Sequence, residues 1–226
     1  MEPNQDRSLT LRPSNELAAP QIGANRILCE MVERSLAVAN EVTKEAELDA
    51  LVQEAKRLQK EGGSNKMATN FVRAFQLFLR AAEGGHVEAQ YQVAECYVWG
   101  AGVPHDIVES DRWLRLAAEN GHMYAQSDLG VYRLGKSEES VKWLRKAAEQ
   151  GESSAFDFLG FRLVSGAGVP QDKCEGYAWL RLAVDARKED NWLQEQVAAI
   201  ASSLSSAQLE KALELYEGFK RKYSTE

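Results

Sequence analysis

Cysteine, proline, positive charge and long apolar runs are all scarce in this chain of 226 residues. Its three cysteines, Cys29, Cys96 and Cys174, are too few and odd in number for a disulfide framework, and they suit a reducing compartment. No stretch approaches the roughly 18 uncharged apolar residues of a membrane-spanning helix, so no membrane span is expected. The opening MEPNQDRSLTLRPSNELAAPQ has no basic segment followed by an apolar one. It therefore reads as lacking a secretory signal, and a cytoplasmic location is expected. The 27 Lys+Arg against 34 Asp+Glu give a net charge of −7, the wrong field for nucleic acid. The 44% apolar residues nonetheless suffice for a core. Few prolines and abundant Ala, Leu, Glu and Lys favour helix.

The chain contains an internal repeat. Ala81-Ala-Glu-Gly-Gly85, Ala117-Ala-Glu-Asn-Gly121 and Ala147-Ala-Glu-Gln-Gly151 read alike, with a decayed copy at Ala183-Val-Asp-Ala-Arg187. Their offsets of 36, 30 and 36 residues recur upstream, where Leu77, Trp113, Trp143 and Trp179 share one slot. A small residue, Ala74, Ser110, Ser140 or Gly176, sits three positions before each. Gly100-Ala-Gly-Val-Pro-His-Asp106 and Gly166-Ala-Gly-Val-Pro-Gln-Asp172 match over a longer stretch. A fixed period of this length signals stacked helical hairpins.

Each unit reads as helix A, loop, helix B. In the second unit helix A spans about Val87 to Trp99, and Gly100 supplies a left-handed stop. Asp106 and Asp172 open helices B, with Glu109 and Glu175 three residues on in a capping-box pattern. The third unit has lost six residues of the loop, where only Gly135-Lys-Ser137 remains. Apolar spacing over 25–42 and around Trp192, Val197 and Ile200 suggests flanking helices. Ser205-Ser-Ala-Gln208 opens a last helix with Leu209, Ala212, Leu213, Tyr216 and Phe219 on one face. The organisation is thus a loose tail over 1–24, an N-terminal capping helix over 25–47, four repeats over 48–187, and C-terminal capping helices over 188–226. The repeats fall at about 48–85, 86–121, 122–151 and 152–187. The fold class is all-α, an α-solenoid of antiparallel helix pairs.

These motifs resemble the Sel-one-like repeat (SLR) family, a relative of the tetratricopeptide repeat. The resemblance rests on Ala89, Ala94 and Tyr97 in the second unit. It rests further on Ala125, Leu129 and Gly130 in the third, Ala155, Leu159 and Gly160 in the fourth, and the helix-B Trp followed by Ala-Ala-Glu-x-Gly. The first unit departs, with Leu77 in the Trp slot and an insertion around Gly62-Gly-Ser64. The resemblance implies a right-handed superhelix and adaptor roles through protein contacts. Small residues at Ala89/Ala94, Ala125/Gly130 and Ala155/Gly160 allow close helix approach, and each unit needs its neighbours to bury its apolar stripe.

Several motifs are weighed against plainer readings. Gly130-Val-Tyr-Arg-Leu-Gly135-Lys136-Ser137 matches the P-loop pattern, but no strand precedes it. Gly130 fills the small-residue slot, Gly135 is a helix stop and Ser137 an N-cap. His86 and His122 occupy one repeat slot without metal-ligand spacing, and His105 lies in a loop. Cys96 reads as an apolar filler. The chain has no Ser-x-x-Lys or Lys-Thr-Gly. No catalytic residue, cofactor or metal is expected.

The surplus is aromatic. At about 100° per residue, positions 0, 1, 4, 5 and 8 from the repeat Ala share the buried face of helix A. The other face carries Tyr91 and Trp99, Val131 and Tyr132, and Phe158 and Phe161. Glu95, Asp128, Asp157 and Arg162 lie among them. The resemblance puts helix A on the concave side, where aromatics favour partner binding and charges set orientation. Alternatively, the superhelix twist or the N-terminal segment buries them. The expected function is a non-catalytic scaffold for a protein or peptide partner, in one form an antagonist or immunity protein, with no nucleic acid or small-molecule substrate. The alternative is a hydrolase, or a nucleotide-dependent enzyme using Lys136.

Overall fold

The structure, a computed structural model, describes residues 19–61 and 67–223. The chain divides into two units, residues 1–47 and residues 48–226. The first helix, α1 (Ala19–Lys60), runs across that division. The tail expected over 1–24 falls largely on residues outside those described, and residues 19–24 are already helical. The boundary expected at 47–48 therefore lies within one helix. The physical reason is that no glycine or proline interrupts the chain from residue 24 to residue 61. Along the part of α1 in the first unit, Met31, Val32, Leu36, Val38 and Val42 are exposed. The insertion around Gly62-Gly-Ser64 lies outside the described residues.

The second unit is an all-α solenoid. The end of α1 shares a core cluster with α2 (Met67–Glu83) through Val52, Ala55 and Leu58, and α3 (Val87–Trp99) pairs with α4 (Ile107–Glu119). Next come α5 (Met123–Asp128), which continues as a π-helical turn over Leu129–Arg133, and α6 (Glu138–Glu149). Then α7 (Ser153–Ser165) pairs with α8 (Lys173–Ala186), followed by α9 (Asn191–Ser202) and α10 (Ser206–Tyr223). Among the described residues no helix is long and apolar enough to cross a membrane.

Local chemistry sets these boundaries. Gly100 and Gly166 sit at φ +64° and +73°, where a side chain would be strained, and they end α3 and α7. Asp106 accepts from the Val108 and Glu109 amides, Asp172 from Glu175, and Ser137 from Ser140. Only half of each expected Asp-x-x-Glu box forms. The Glu175 carboxylate turns instead to Arg145 and to the Trp179 indole. At Ser205 and Gln208 the box closes in both directions.

Repeat spacing also builds a polar ladder. Gln90 donates to the Ala82 carbonyl at 3.4 Å and Gln126 to Ala118 at 3.0 Å. Asn120 then donates to Gln90, and Gln150 to Gln126. Both Gln90 and Gln126 are buried, and these bonds satisfy their amides while giving the helix-end carbonyls, which also accept from Gly85 and Gly121, a second donor. In the fourth repeat Phe156 takes the glutamine slot and stacks on Trp179. There the largest core cluster gathers Leu144, Leu159, Leu180 and Trp179, and α10 closes it with Tyr216 and Phe219.

Candidate functional site

Two histidines start the helices that frame the site. His86 caps α3 and His122 caps α5, each accepting from the amide three residues on through Nδ1. An accepting Nδ1 places the ring proton on Nε2, which donates to a carboxylate of the preceding repeat. For His86 that carboxylate is Asp49, and for His122 it is Glu88, both at 2.9 Å. The repeat slot foreshadowed their equivalence but not this capping. Glu152 fills the same slot in the next repeat and caps α7 with both oxygens.

Glu88 also accepts from Lys56 at 2.8 Å and from Gln92 at 3.0 Å. The hydrogen bond from His122, then those from Lys56 and Gln92, hold its carboxyl down at about 2 against the opposing effect of burial. A carboxyl depressed on folding contributes stability above its ordinary 4.5 and loses it as pH falls toward 2. Glu88→Gln is therefore expected to lower the urea midpoint at pH 6, with the gap to wild type closing by about pH 2. The expected loss is about 1–2 kcal/mol, reduced by solvent screening of a side chain one-third exposed. A gap independent of pH would contradict this account.

The His122 ring stacks on Tyr91, with centroids 4.5 Å apart and planes 20° apart. The Tyr91 hydroxyl donates to Asp128 Oδ2 at 3.1 Å. Burial pushes the Tyr91 hydroxyl well above its ordinary value. The Asp128 carboxyl is likewise raised, first by burial and also by the nearby Glu95 charge, while the Tyr91 bond opposes the shift. On the next turn of α3, Trp99 Nε1 donates to Glu95 Oε2 at 3.0 Å. Tyr91, Glu95, Trp99, Asp128 and Tyr132 line one groove of about 460 Å³, floored by Ser110 and Leu114 of α4. Trp99 and Tyr132 are 76% and 73% exposed. Trp99 is the last residue before the left-handed Gly100, and Tyr132 lies on the π-helical turn. Trp99 also borders a second cavity of about 590 Å³ over the Gly-Ala-Gly-Val-Pro loop and Phe71.

The other five candidate residues are not brought into this groove. Asp157 pairs with Arg187 at 2.7 Å. Arg162 donates to the Gly135 carbonyl at 2.8 Å and to Ser140 Oγ at 3.2 Å, holding the shortened loop of the third repeat. Val131 and Phe161 pack against the core, Phe161 with its ring 5.9 Å from that of Trp192. Phe158 is 37% exposed, its amide donating to Asp157. Helical periodicity locates a face but not its depth, and neighbouring repeats bury part of this one.

Other sequence motifs resolve into packing. Gly130 lies against α6, where an added Cβ would come within 2.5 Å of Leu144 Cγ. Gly135 adopts φ +56° and Ser137 caps α6, so the P-loop match sits on helical backbone and a cap. Cys96 is buried, and burial pushes its thiol up to about 12, which leaves it inert. His105 accepts no cap and instead faces the Tyr97 and Val98 carbonyls. A charge ladder went unread in the sequence: Arg115 pairs with Glu139, and Arg145 with Glu175. Its signal was there, since both pairs follow the repeat offsets.

A family model described as Sel1 repeat matches residues 60–86, 87–122, 124–152 and 158–187. Protein SHC1 of Saccharomyces cerevisiae is 34% identical over 114 residues, 49% of this chain and 17% of that protein. Chitin synthase regulator SKT5 of the same organism is 39% identical over 59 residues, 26% of this chain and 8% of that protein. The chain thus spans less than a fifth of the length of these curated relatives. A crystal structure of a Sel1 repeat protein from Oxalobacter formigenes superposes with a TM-score of 0.59 at 27% identity, covering 77% of this chain and 70% of that one.

Proposed function

This chain belongs to the Sel1 repeat family, and on that premise we propose that it is a non-catalytic scaffold holding a protein or peptide partner in the groove between its second and third repeats. The observation that carries this reading is the pair of exposed indole and phenol rings, Trp99 and Tyr132, flanking the Glu95 and Asp128 carboxylates. Large aromatics left in water beside oriented charges are the composition of a binding hot spot. The net charge of −7 favours approach of a basic partner. A regulatory role, in one form the clasping of a toxin or enzyme, is in keeping with a chitin synthase regulator among the matched relatives.

The test is paired. Trp99→Ala and Tyr132→Ala, alone and together, are expected to keep the helical circular dichroism and melt within a few degrees of wild type, since both rings are mostly exposed. Each is expected to weaken the partner recovered by affinity capture and confirmed by titration about tenfold or more, and the double variant to abolish binding. A folded double variant that binds that partner as wild type does would overturn the reading.

A further inference from the structure

The three junctions between consecutive repeats carry equivalent residues in the sequence. The small residue of helix B (Ala74, Ser110 or Ser140) is matched by the residue seven after the repeat Ala of the next helix A (Cys96, Tyr132 or Arg162). At the first junction Ala74 and Cys96 are both buried and apolar. At the third, Ser140 Oγ receives the Arg162 guanidinium, which also donates to the Gly135 carbonyl. The second junction is incomplete. Ser110 is fully buried and its Oγ has no hydrogen-bond partner, while Tyr132 stands 73% exposed. An unpaired buried hydroxyl is costly. Its counterpart one repeat on, Ser140, donates to the Ser137 carbonyl at 2.9 Å and accepts from the Arg162 guanidinium.

Ser110 lines the groove that holds Glu95 and Asp128. One oxygen of each carboxylate accepts from the wall, Glu95 from Trp99 and Asp128 from Tyr91. The second oxygen of each has no protein donor among the described residues. Among the described residues lining the groove the one cation, Arg133, lies 3.0 Å from Asp111 in a charge contact not aligned as a hydrogen bond, and its charge also acts on Asp128. Asp111 offsets that charge, so the groove stays acidic. Carboxylates accept guanidinium hydrogen bonds more strongly than a peptide carbonyl does, and Trp and Tyr faces stack on the planar cation.

We infer that the groove between the second and third repeats receives an arginine side chain of the partner polypeptide, seated on Ser110 between Glu95 and Asp128 as Arg162 is seated on Ser140. This rests on the reading of the groove as a docking site and names the chemistry it selects. Tyr132 and Trp99 would close over the guanidinium, and the fixed fork of five donors would engage all three oxygens.

The probe is Ac-Arg-NHMe, titrated into the isotope-labelled full chain while the Trp99 indole N–H resonance is followed. Saturable shifts are expected, with Ac-citrulline-NHMe, an uncharged isostere, at least about tenfold weaker and Ac-Lys-NHMe about threefold or more weaker. Glu95→Gln, Asp128→Asn and Ser110→Ala are each expected to weaken Ac-Arg-NHMe about threefold or more. Free arginine, whose own carboxylate meets the acidic groove, is expected to bind less tightly than the blocked form. No shift up to about 50 mM, or citrulline equal to arginine, would overturn the inference. Tighter binding of free arginine would overturn its source and make the groove an amino-acid receptor. The Trp99→Ala and Tyr132→Ala capture experiment stands apart: lost capture with no arginine selectivity sinks the guanidinium and spares the docking site, while retained capture sinks the docking site itself.

Discussion

Trp179→Ala is expected to destabilise the solenoid by about 3–5 kcal/mol, more than any other single truncation of a repeat tryptophan. Trp179 is 1% exposed, whereas Trp143 is at 9% and Trp113 only partly buried. Its ring stacks on Phe156, Phe219 and Tyr223 at 5.7, 4.4 and 5.4 Å between centroids, and its indole donates to Glu175. Two of those rings belong to α10, so removing the indole opens a cavity and also undoes the anchor of the last helix. A solenoid is held by nearest-neighbour interfaces, so the loss should remain local. Hydrogen exchange is expected to show α8 and α10 unprotected first, with α3 and α4 near wild type. Thermal melts should move down by roughly 10 °C, with a broadened transition where the end of the array separates from the rest. A uniform loss of protection across all repeats would show that the array unfolds as one unit. Trp143→Ala should cost less, because its ring packs in a smaller cluster with Lys146 lying over its outer face.

The arithmetic of the repeat made most of this fold legible. Glycine stops and aspartate caps are local signals, and a helix from Val87 to Trp99 follows from Gly100 alone once the period is known. The candidate groove was half legible. Tyr91, Glu95, Trp99, Asp128 and Tyr132 converge because two helices A carry them at matching register. Arg162 and Asp157 share that face by periodicity, yet their partners, Gly135 and Arg187, lie about 30 residues away in sequence and follow from how the repeats stack. The unit with the shortened loop also has a backbone feature that no spacing rule exposes. The third helix A widens into a π-helical turn before Leu134, whose amide reaches back to Leu129. The histidine caps were hidden for a different reason: His is not among the usual N-cap residues, so the slot read as merely repeated rather than as a cap tied to the preceding repeat's carboxylate.

Close backbone approach between α7 and α8 sets the second large effect. Gly160 and Gly176 face each other, and a Cβ on either would lie 2.9 or 2.8 Å from the other's carbonyl oxygen. The Gly160 Cβ would also come within 2.6 Å of Leu180 Cγ, and that of Gly176 within 2.7 Å of Val164 Cγ2. A side chain can rotate away from such a contact, but a helical carbonyl cannot, so relief requires the helix axes to separate. Gly160→Val is therefore expected to cost about 3 kcal/mol or more, despite replacing a residue with poor helix propensity. Gly160→Ala should also destabilise, by roughly 1–2 kcal/mol after its propensity gain is subtracted. Gly218 supplies the opposite sign on the same backbone geometry. It lies within α10 with nothing within 4 Å of an added Cβ, so Gly218→Ala is expected to stabilise by about 0.5–1 kcal/mol. Chemical denaturation of the three variants separates the two contributions. If Gly160→Ala rose in stability alongside Gly218→Ala, propensity would dominate at Gly160, and the close approach of α7 to α8 would impose no constraint on that position.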